Sequence, residues 1–485
     1  MAKLPLSQGA YQARSPIANA QVCINLYPEP NTKDAPFPVT HYPAPGLSVL
    51  SDYTGQLGGW VRGIYMASNG RCFAVIGQTV ITWLGAGSGP DTYVVLGATA
   101  VNTGGPVSMV DNGTTLVIVD GTTWGGMMAL DQALVPGALQ QIDDPGFYGS
   151  NRVDFIDTFM VFNQPGTGNF YSTTSNVVTP FDPLYFAAKE GWNDLLQCCA
   201  CLHDNIWLFG NVTTEIWFNA GGATFPFARM PNSILQQGTV TATSVVVADN
   251  AVYWLSQDRW GRNMYMRGEG YAARRVSTFA VENEWNGYPA VNDCISMAFQ
   301  LGGHETIGVF FPTANRWWAY DAATQMWHVR TYSDLSTGWL PFCMAGWGAT
   351  AFVSPIQQQT IAGHRGAPII LQVSRDAYTD NNLPIQRQRS WAHVQGDGQR
   401  VAHTRFSLSF AGAAMTPDTV SLDWSDDAGQ TFGTPVAQTI NNQTNGQYQW
   451  RRLGYARDRV YRATWSGQGD CALNGAYVDV VPQGT

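Results

Sequence analysis

The sequence predicts an all-β fold: a β-propeller of six or seven blades followed by a small C-terminal antiparallel β-sandwich-like domain. Aromatic or β-branched runs begin at Phe73, Leu116, Phe159, Ile206, Val252, Ile307 and Ala351, at intervals of 43, 43, 47, 46, 55 and 44 residues. Almost every run follows a turn signal: Asn69-Gly70, Asp111-Asn112-Gly113, Asp157-Thr158, His203-Asp204-Asn205, Asp249-Asn250 or Gly302-Gly303-His304. A period in the forties with short strands is what a blade of about four strands writes into a sequence. One such unit cannot cover its apolar faces alone, so neighbours must stack and the ring must close.

Three parts follow in order. Residues 1–55 are Pro-rich, as in Tyr27-Pro28-Glu29-Pro30 and Tyr42-Pro43-Ala44-Pro45-Gly46. Prolines at this density argue against central strands and helices, so an extended arm is expected, packed across the ring or onto a neighbouring subunit. Residues 56–385 carry the blades. The fourth is the clearest: Cys198 to Leu202, a turn at Asp204-Asn205, Ile206 to Gly210, then Thr214 to Phe218. Runs apolar on successive residues mark strands covered on both faces. The stretch from Phe279 to Asn292 lengthens one interval, and the best helical signal, Asp182 to Lys189, is short. From residue 386 to 485 the texture changes to alternating strands such as Thr404 to Phe410 and Arg459 to Trp465, in which one face is wet.

Composition narrows the function. Charged residues make up 13% of the 485 residues, about half the usual share, which suggests surface covered by other subunits. The net charge is −9 and no basic run occurs, which disfavours tight nucleic-acid binding through phosphate neutralisation. Lysine occurs only at Lys3, Lys33 and Lys189. Neither a secretory h-region nor a run of 18 apolar residues is present. Most of the eight cysteines sit inside apolar strands, the pattern of buried free thiols in a reducing compartment.

Each chemical motif has a structural explanation. Ser425-Asp426-Asp427-Ala428-Gly429-Gln430-Thr431-Phe432 matches the Asp-box turn, in which the carboxylate accepts backbone N–H bonds, glycine takes positive φ and Phe packs beneath. Cys199, Cys201 and His203 share one strand face, but no second ligand pair completes a tetrahedral site. Glu282 and Glu284 suit glycoside hydrolysis only if they flank a pocket. His304, His328, His364, His393 and His403 are scattered, without a nucleophile elbow, a His-Glu-x-x-His or a P-loop. Gly85-Ala86-Gly87-Ser88-Gly89-Pro90 reads as a turn. Trp260, Trp285, Trp317, Trp318 and Trp327 read as packing more than as sugar or base platforms. No catalytic, cofactor-binding or metal residue is therefore assigned, and no cofactor is expected.

Several stretches resemble a known family. They are Leu4-Pro5-Leu6 through Tyr11-Gln12-Ala13-Arg14-Ser15, Asn25-Leu26-Tyr27-Pro28-Glu29, Tyr42 to Leu47, Val61-Arg62-Gly63-Ile64-Tyr65, Leu208 to Trp217, Tyr320-Asp321 and Trp450 to Val460. Together they resemble the tail hub or nozzle proteins of short-tailed phages, the packaged-DNA stabilization proteins. The resemblance implies a non-enzymatic virion protein made in the bacterial host cytoplasm. It implies a homo-hexameric ring below the portal and adaptor, above a tail fibre, tailspike or needle. Such a ring retains packaged DNA and conducts it at ejection without sequence-specific binding. Two alternatives stand beside it: a propeller glycosidase or sialidase, and a receptor- or glycan-binding tail protein.

Overall fold

The computed structural model describes residues 2–4, 12–15, 17–83, 93–99, 104–130, 137–189, 191–222, 224–258, 260–347, 359–396, 398–411, 419–439, 447–467, 469 and 471–482. Seven antiparallel four-stranded meanders form a propeller. Their inner strands, which number blades 1 to 7, are Val61–Met66, Ser108–Asp111, Val153–Ile156, Leu196–Leu202, Val246–Ala248, Ile295–Leu301 and Pro341–Trp347.

The recurring apolar run is the second strand of every blade. These strands begin at Cys72, Thr115, Phe159, Asn205, Ala251, His304 and Gln359. Ala351, the last expected start, lies outside the described residues. Burial on successive residues, as in Cys72–Ile76, follows from a position inside a blade with another blade against each face. The turns that precede them use left-handed backbone, at Gly70, Gly113, Asp157, His203, Asp249 with Asn250, and Gly302 with Gly303. That backbone twist suits tight hairpins, which is why Gly, Asn and Asp recur there.

Every pair of neighbouring blades encloses its own buried cluster. The cluster that closes the ring sets Val61, Ile81 and Trp83 of blade 1 against Ile361 and Ile370 of blade 7. Gly63 permits this stacking on its other side: a Cβ there would lie 2.5 Å from the Val107 side chain leading into blade 2. The fourth strand of blade 7 comes from the opposite end of the sequence. Gly46–Asp52 pairs antiparallel with Ile369–Ser374, Leu47 opposite Val373. The ring is thus fastened by the N-terminal segment.

The Pro-rich segment does more than lie across the ring. Leu26–Pro30 and Val39–Pro43 form a hairpin that joins a sandwich sheet through His41 opposite Leu473. Proline does not forbid this, because Leu26–Pro30 is the edge strand and Pro43 ends its strand. The second sandwich sheet contains Arg387–Ser390, Asp458–Ser466, Thr419–Ser425 and Val436–Thr439. Cys23–Ile24 fuses it to blade 6, pairing parallel with Met326–Arg330 and antiparallel with Arg387–Ser390. Cys23 and Leu26 enter the sandwich core beside Trp391, Phe406, Trp450 and Trp465.

The helical expectation is corrected. Phe186–Ala188 is a strand pairing with Asn169–Ser172. The one α-helix among the described residues is Phe279–Trp285, capped by the Thr278 side chain. It occupies the long interval between blades 5 and 6, where Trp285 anchors it in their shared core.

Candidate functional site

Inner strands converge on the propeller axis, where Arg62, Ser108, Asn151, Arg152, Thr243 and Ser296 help line a cavity of 320 Å³. Arg152 reaches from blade 3 to donate to the Val245 carbonyl at 2.5 Å, and to Asp154 at 3.3 Å. Asp154 in turn accepts the Cys201 N–H of blade 4 at 3.0 Å. Arg62 donates to the carbonyls of Gly105 and Gly77 at 2.7 and 3.1 Å, and burial pulls its guanidinium pKa down. These charges hold blades to one another across the axis.

At the starts of the inner strands the axis opens into a 730 Å³ bowl with Trp60, Asp293, Phe310, His364 and Arg365 on its wall. Arg365 lies over the Phe310 ring at 5.1 Å and donates to Asn315 at 2.6 Å. Burial and then Arg365 lower the His364 pKa. Asp293 is the one acidic residue on the described wall, and its Oδ2 accepts the Thr313 N–H at 2.7 Å. A glycosidase needs two carboxyl groups facing one substrate, and this wall supplies one.

The sequence-selected carboxylates lie elsewhere and are engaged. Glu282 is buried on the helix, gripped by Nε and Nη2 of Arg275 and by the Ser277 hydroxyl at 2.5 Å. Glu284 accepts the Tyr288 hydroxyl at 2.8 Å and lies 3.7 Å from Arg316. Cys198 packs in the blade 4–5 cluster, whereas Cys199 and Cys201 pack in the blade 3–4 cluster. Burial raises all three thiols, Cys198 to about 12. His203 is spent on a left-handed turn. Among the described residues no group of three His, Cys, Asp or Glu is placed to hold a metal ion.

Histidines are dispersed. His304 meets Asp321 at 2.6 Å, His393 meets Asp458 at 2.8 Å, and His403 meets the Tyr461 hydroxyl at 2.9 Å. Burial lowers His328 to about 3 and His403 to about 4. Trp285, Trp317, Trp318 and Trp327 lie in inter-blade cores, while Trp260 is 83% exposed. The Asp-box forms as its sequence implies. Asp427 accepts the N–H groups of Gln430 and Thr431, Gly429 has φ 86°, and Phe432 lies under Arg462 at 3.8 Å. Hydrogen bonds, led by those from Ser425 and Thr431, hold the Asp427 pKa down at about 2. The Gly85–Pro90 stretch lies outside the described residues, as do the positions from 5 to 11.

The junction of arm, propeller and sandwich is the polar centre that sequence reasoning missed. Asn25, fully buried with φ 56°, donates to the Thr331 hydroxyl and the Gln386 carbonyl, both at 2.8 Å, and accepts the Thr331 N–H at 2.9 Å. Arg389 donates to the Val22 carbonyl, Arg387 to that of Gly467 and Arg330 to that of Pro45. Asp380 sits among them; burial raises its pKa to about 6, against the pull of Arg330. The Asn25-Leu26-Tyr27-Pro28-Glu29 and Gln386-Arg387-Gln388-Arg389 stretches were the only trace of this centre in the sequence.

The same two-part division appears in family comparison. The bacteriophage P22 Gp10 β-propeller model matches residues 2–377, and the Gp10 β-sandwich model matches residues 386–481. The chain belongs to the bacteriophage P22 Gp10 family. It is accordingly a structural protein of the phage tail, from the family of packaged-DNA stabilization proteins. No curated protein matches it in sequence.

Solved propellers resemble the Gp10-family chain only in outline. An exo-β-1,3-galactanase from Phanerochaete chrysosporium is 12% identical, covering 80% of this chain and all of that one, at TM-score 0.25. The extracellular domain of a putative hybrid two-component system from B. thetaiotaomicron is 8% identical at TM-score 0.43, covering 92% of this chain and 60% of its own. A putative 6-phosphogluconolactonase from Bacteroides fragilis is 10% identical at TM-score 0.38, covering 64% of this chain and 94% of its own. None bears on the activity of this chain.

Proposed function

We propose that six copies of this chain form a ring below the portal and its adaptor, with a tail fibre, tailspike or needle beneath. The ring retains the packaged genome and conducts it at ejection, without catalysing a reaction. The observation that carries the reading is the Gp10 family match across both domains.

Physical features of the chain support it. The axial cavity of 320 Å³ has room for about twenty waters, so a duplex does not pass through one propeller. A DNA conduit must then lie between copies. A net charge of −9 disfavours the phosphate contacts that would pin a moving strand. Leu184, Phe186, Trp192, Leu195 and Val212 of blades 3 and 4 are 47 to 62% exposed, the kind of apolar surface that other subunits cover. The Asn211 N–H bonds the Leu195 carbonyl at 3.1 Å, which sets Val212 close to Leu195.

Light scattering of the purified chain, alone and with its adaptor ring, tests the reading. Six times the 52.9 kDa chain mass is expected in the assembled particle. A chain that stays monomeric and ignores adaptor rings contradicts it.

A further inference from the structure

Where the arm meets blade 6, Tyr27, Pro45, His304, His328, Arg330 and Arg375 help line a cavity of 30 Å³. Arg330 is 2% exposed and lies 4.1 Å from the Trp339 ring. Its Nη2 donates to the Pro45 carbonyl at 2.6 Å, but Nε and Nη1 have no acceptor among the described residues. Asp321, the one carboxylate among the described residues of the wall, is already engaged with His304 at 2.6 Å, the Thr324 hydroxyl at 2.9 Å and the Ala323 N–H at 3.0 Å. Arg375 is 3.0 Å from the Tyr27 hydroxyl and adds a second guanidinium.

A buried cation with unmatched donors is costly unless a counter-charge reaches it. Burial lowers the Arg330 pKa to about 9, with Asp380 opposing and Arg387 reinforcing that shift. Asp380 counters one positive charge and Arg387 adds another, so water in the cavity satisfies the donors but leaves positive charge in excess. An anion does both. A volume of 30 Å³ holds about two waters, hence one small anion and no nucleotide or sugar.

We propose that this cavity binds one small monovalent anion, chloride or a carboxylate of formate size, held by Arg330 and Arg375. Because Tyr27 and Pro45 belong to the arm and Arg330 to blade 6, the anion clamps the arm to the ring.

Thermal melting of the full chain tests the proposal in sodium chloride, sodium formate and sodium gluconate at equal ionic strength. Tm is expected to rise with chloride, formate or both relative to gluconate, and which salt acts names the ligand. Arg330→Met should abolish that increment. Should it fail to fold, Arg375→Gln should raise the half-saturating anion concentration at least threefold. Crystals soaked in bromide should show an anomalous peak beside the Arg330 guanidinium. Equal melting in all three salts, an increment that survives both substitutions, or two waters with no bromide peak overturns the proposal.

Discussion

Blade 4 and the junction both bury charge, but they recruit partners over very different distances along the chain. At blade 4 the ammonium of Lys189, which follows the outer strand of blade 3, pairs with Asp194 and lies 2.6 Å from the Thr213 hydroxyl. Asp194 also accepts the N–H groups of Val212 and Thr213 at 2.8 and 3.0 Å. Gly210 must lack a side chain, since a Cβ would fall 2.2 Å from that carboxylate. All these groups lie within one stretch of chain. At the junction, Asn25 reaches Thr331 across 306 positions and Gln386 across 361. The first network ties the end of blade 3 to blade 4. The second joins the arm to both bodies, so damage there should spread.

The largest effect is expected from deleting residues 1–45, which removes Cys23, Leu26 and both hairpin strands from the sandwich and Asn25 from the junction. Cooperative folding should be lost, because the deletion exceeds the roughly 5–15 kcal/mol that stabilises a typical domain. Calorimetry of the truncated chain checks this; an intact propeller transition would confine the arm to the sandwich. Next, Lys189→Met leaves Asp194 buried without its cation and should cost about 3–5 kcal/mol. Peptide-resolved hydrogen exchange should place the loss in blades 3 to 5, with the sandwich unchanged.

Asn25→Ala removes three hydrogen bonds and strains a left-handed position, for about 2–4 kcal/mol. Unlike Lys189→Met, it should loosen blade 6 and the sandwich together; exchange confined to one of them would break the comparison.

Acid should act at the same place. His41, His328 and His403 are buried with lowered pKa values, so the unfolded chain binds protons that the folded chain refuses. Stability should fall as pH drops from 6.5 toward 3, by up to about 1.4 kcal/mol per unit for each histidine. Asp380, raised to about 6, acts oppositely: it favours the folded state most below pH 3.8, and this contribution fades as pH rises through 6. The three histidines outweigh two carboxyls, Asp380 and Glu305, which burial also raises, and a urea series between pH 7 and 4 reads the net slope. The smallest effect should come from Asp427→Ala in the exposed Asp-box, which should leave the propeller transition unmoved in the same series.

This contrast also explains what the sequence made legible. Propeller strands recur because blades 1 to 6 are contiguous and the second strand of a blade is buried on both faces, so Cys72, Thr115, Phe159, Asn205 and Ala251 start within one residue of the expected runs. The Asp-box and the Leu208–Trp217 stretch are readable for the same reason: their partners are near in sequence. Seven residues of helix at Phe279–Trp285 are too short to impose a period, although the Thr278 side chain caps its first turn. The arm was the hardest to read. Prolines suggested irregular chain, whereas edge position and distant partners decide the pairing of Leu26–Pro30, Val39–Pro43 and Gly46–Asp52. As for a site, the scattered His, Cys and Glu residues gave no constellation, and the polar centre at the junction is assembled only when remote segments meet.

The central claim is that the N-terminal segment fastens the seven-bladed ring. Native-state hydrogen exchange of Gly46–Asp52 tests it most directly. Its amides should be protected as strongly as those of Ile369–Ser374 and should open together with them. Exchange as fast as in a free chain, while blades 6 and 7 stay protected, would contradict it.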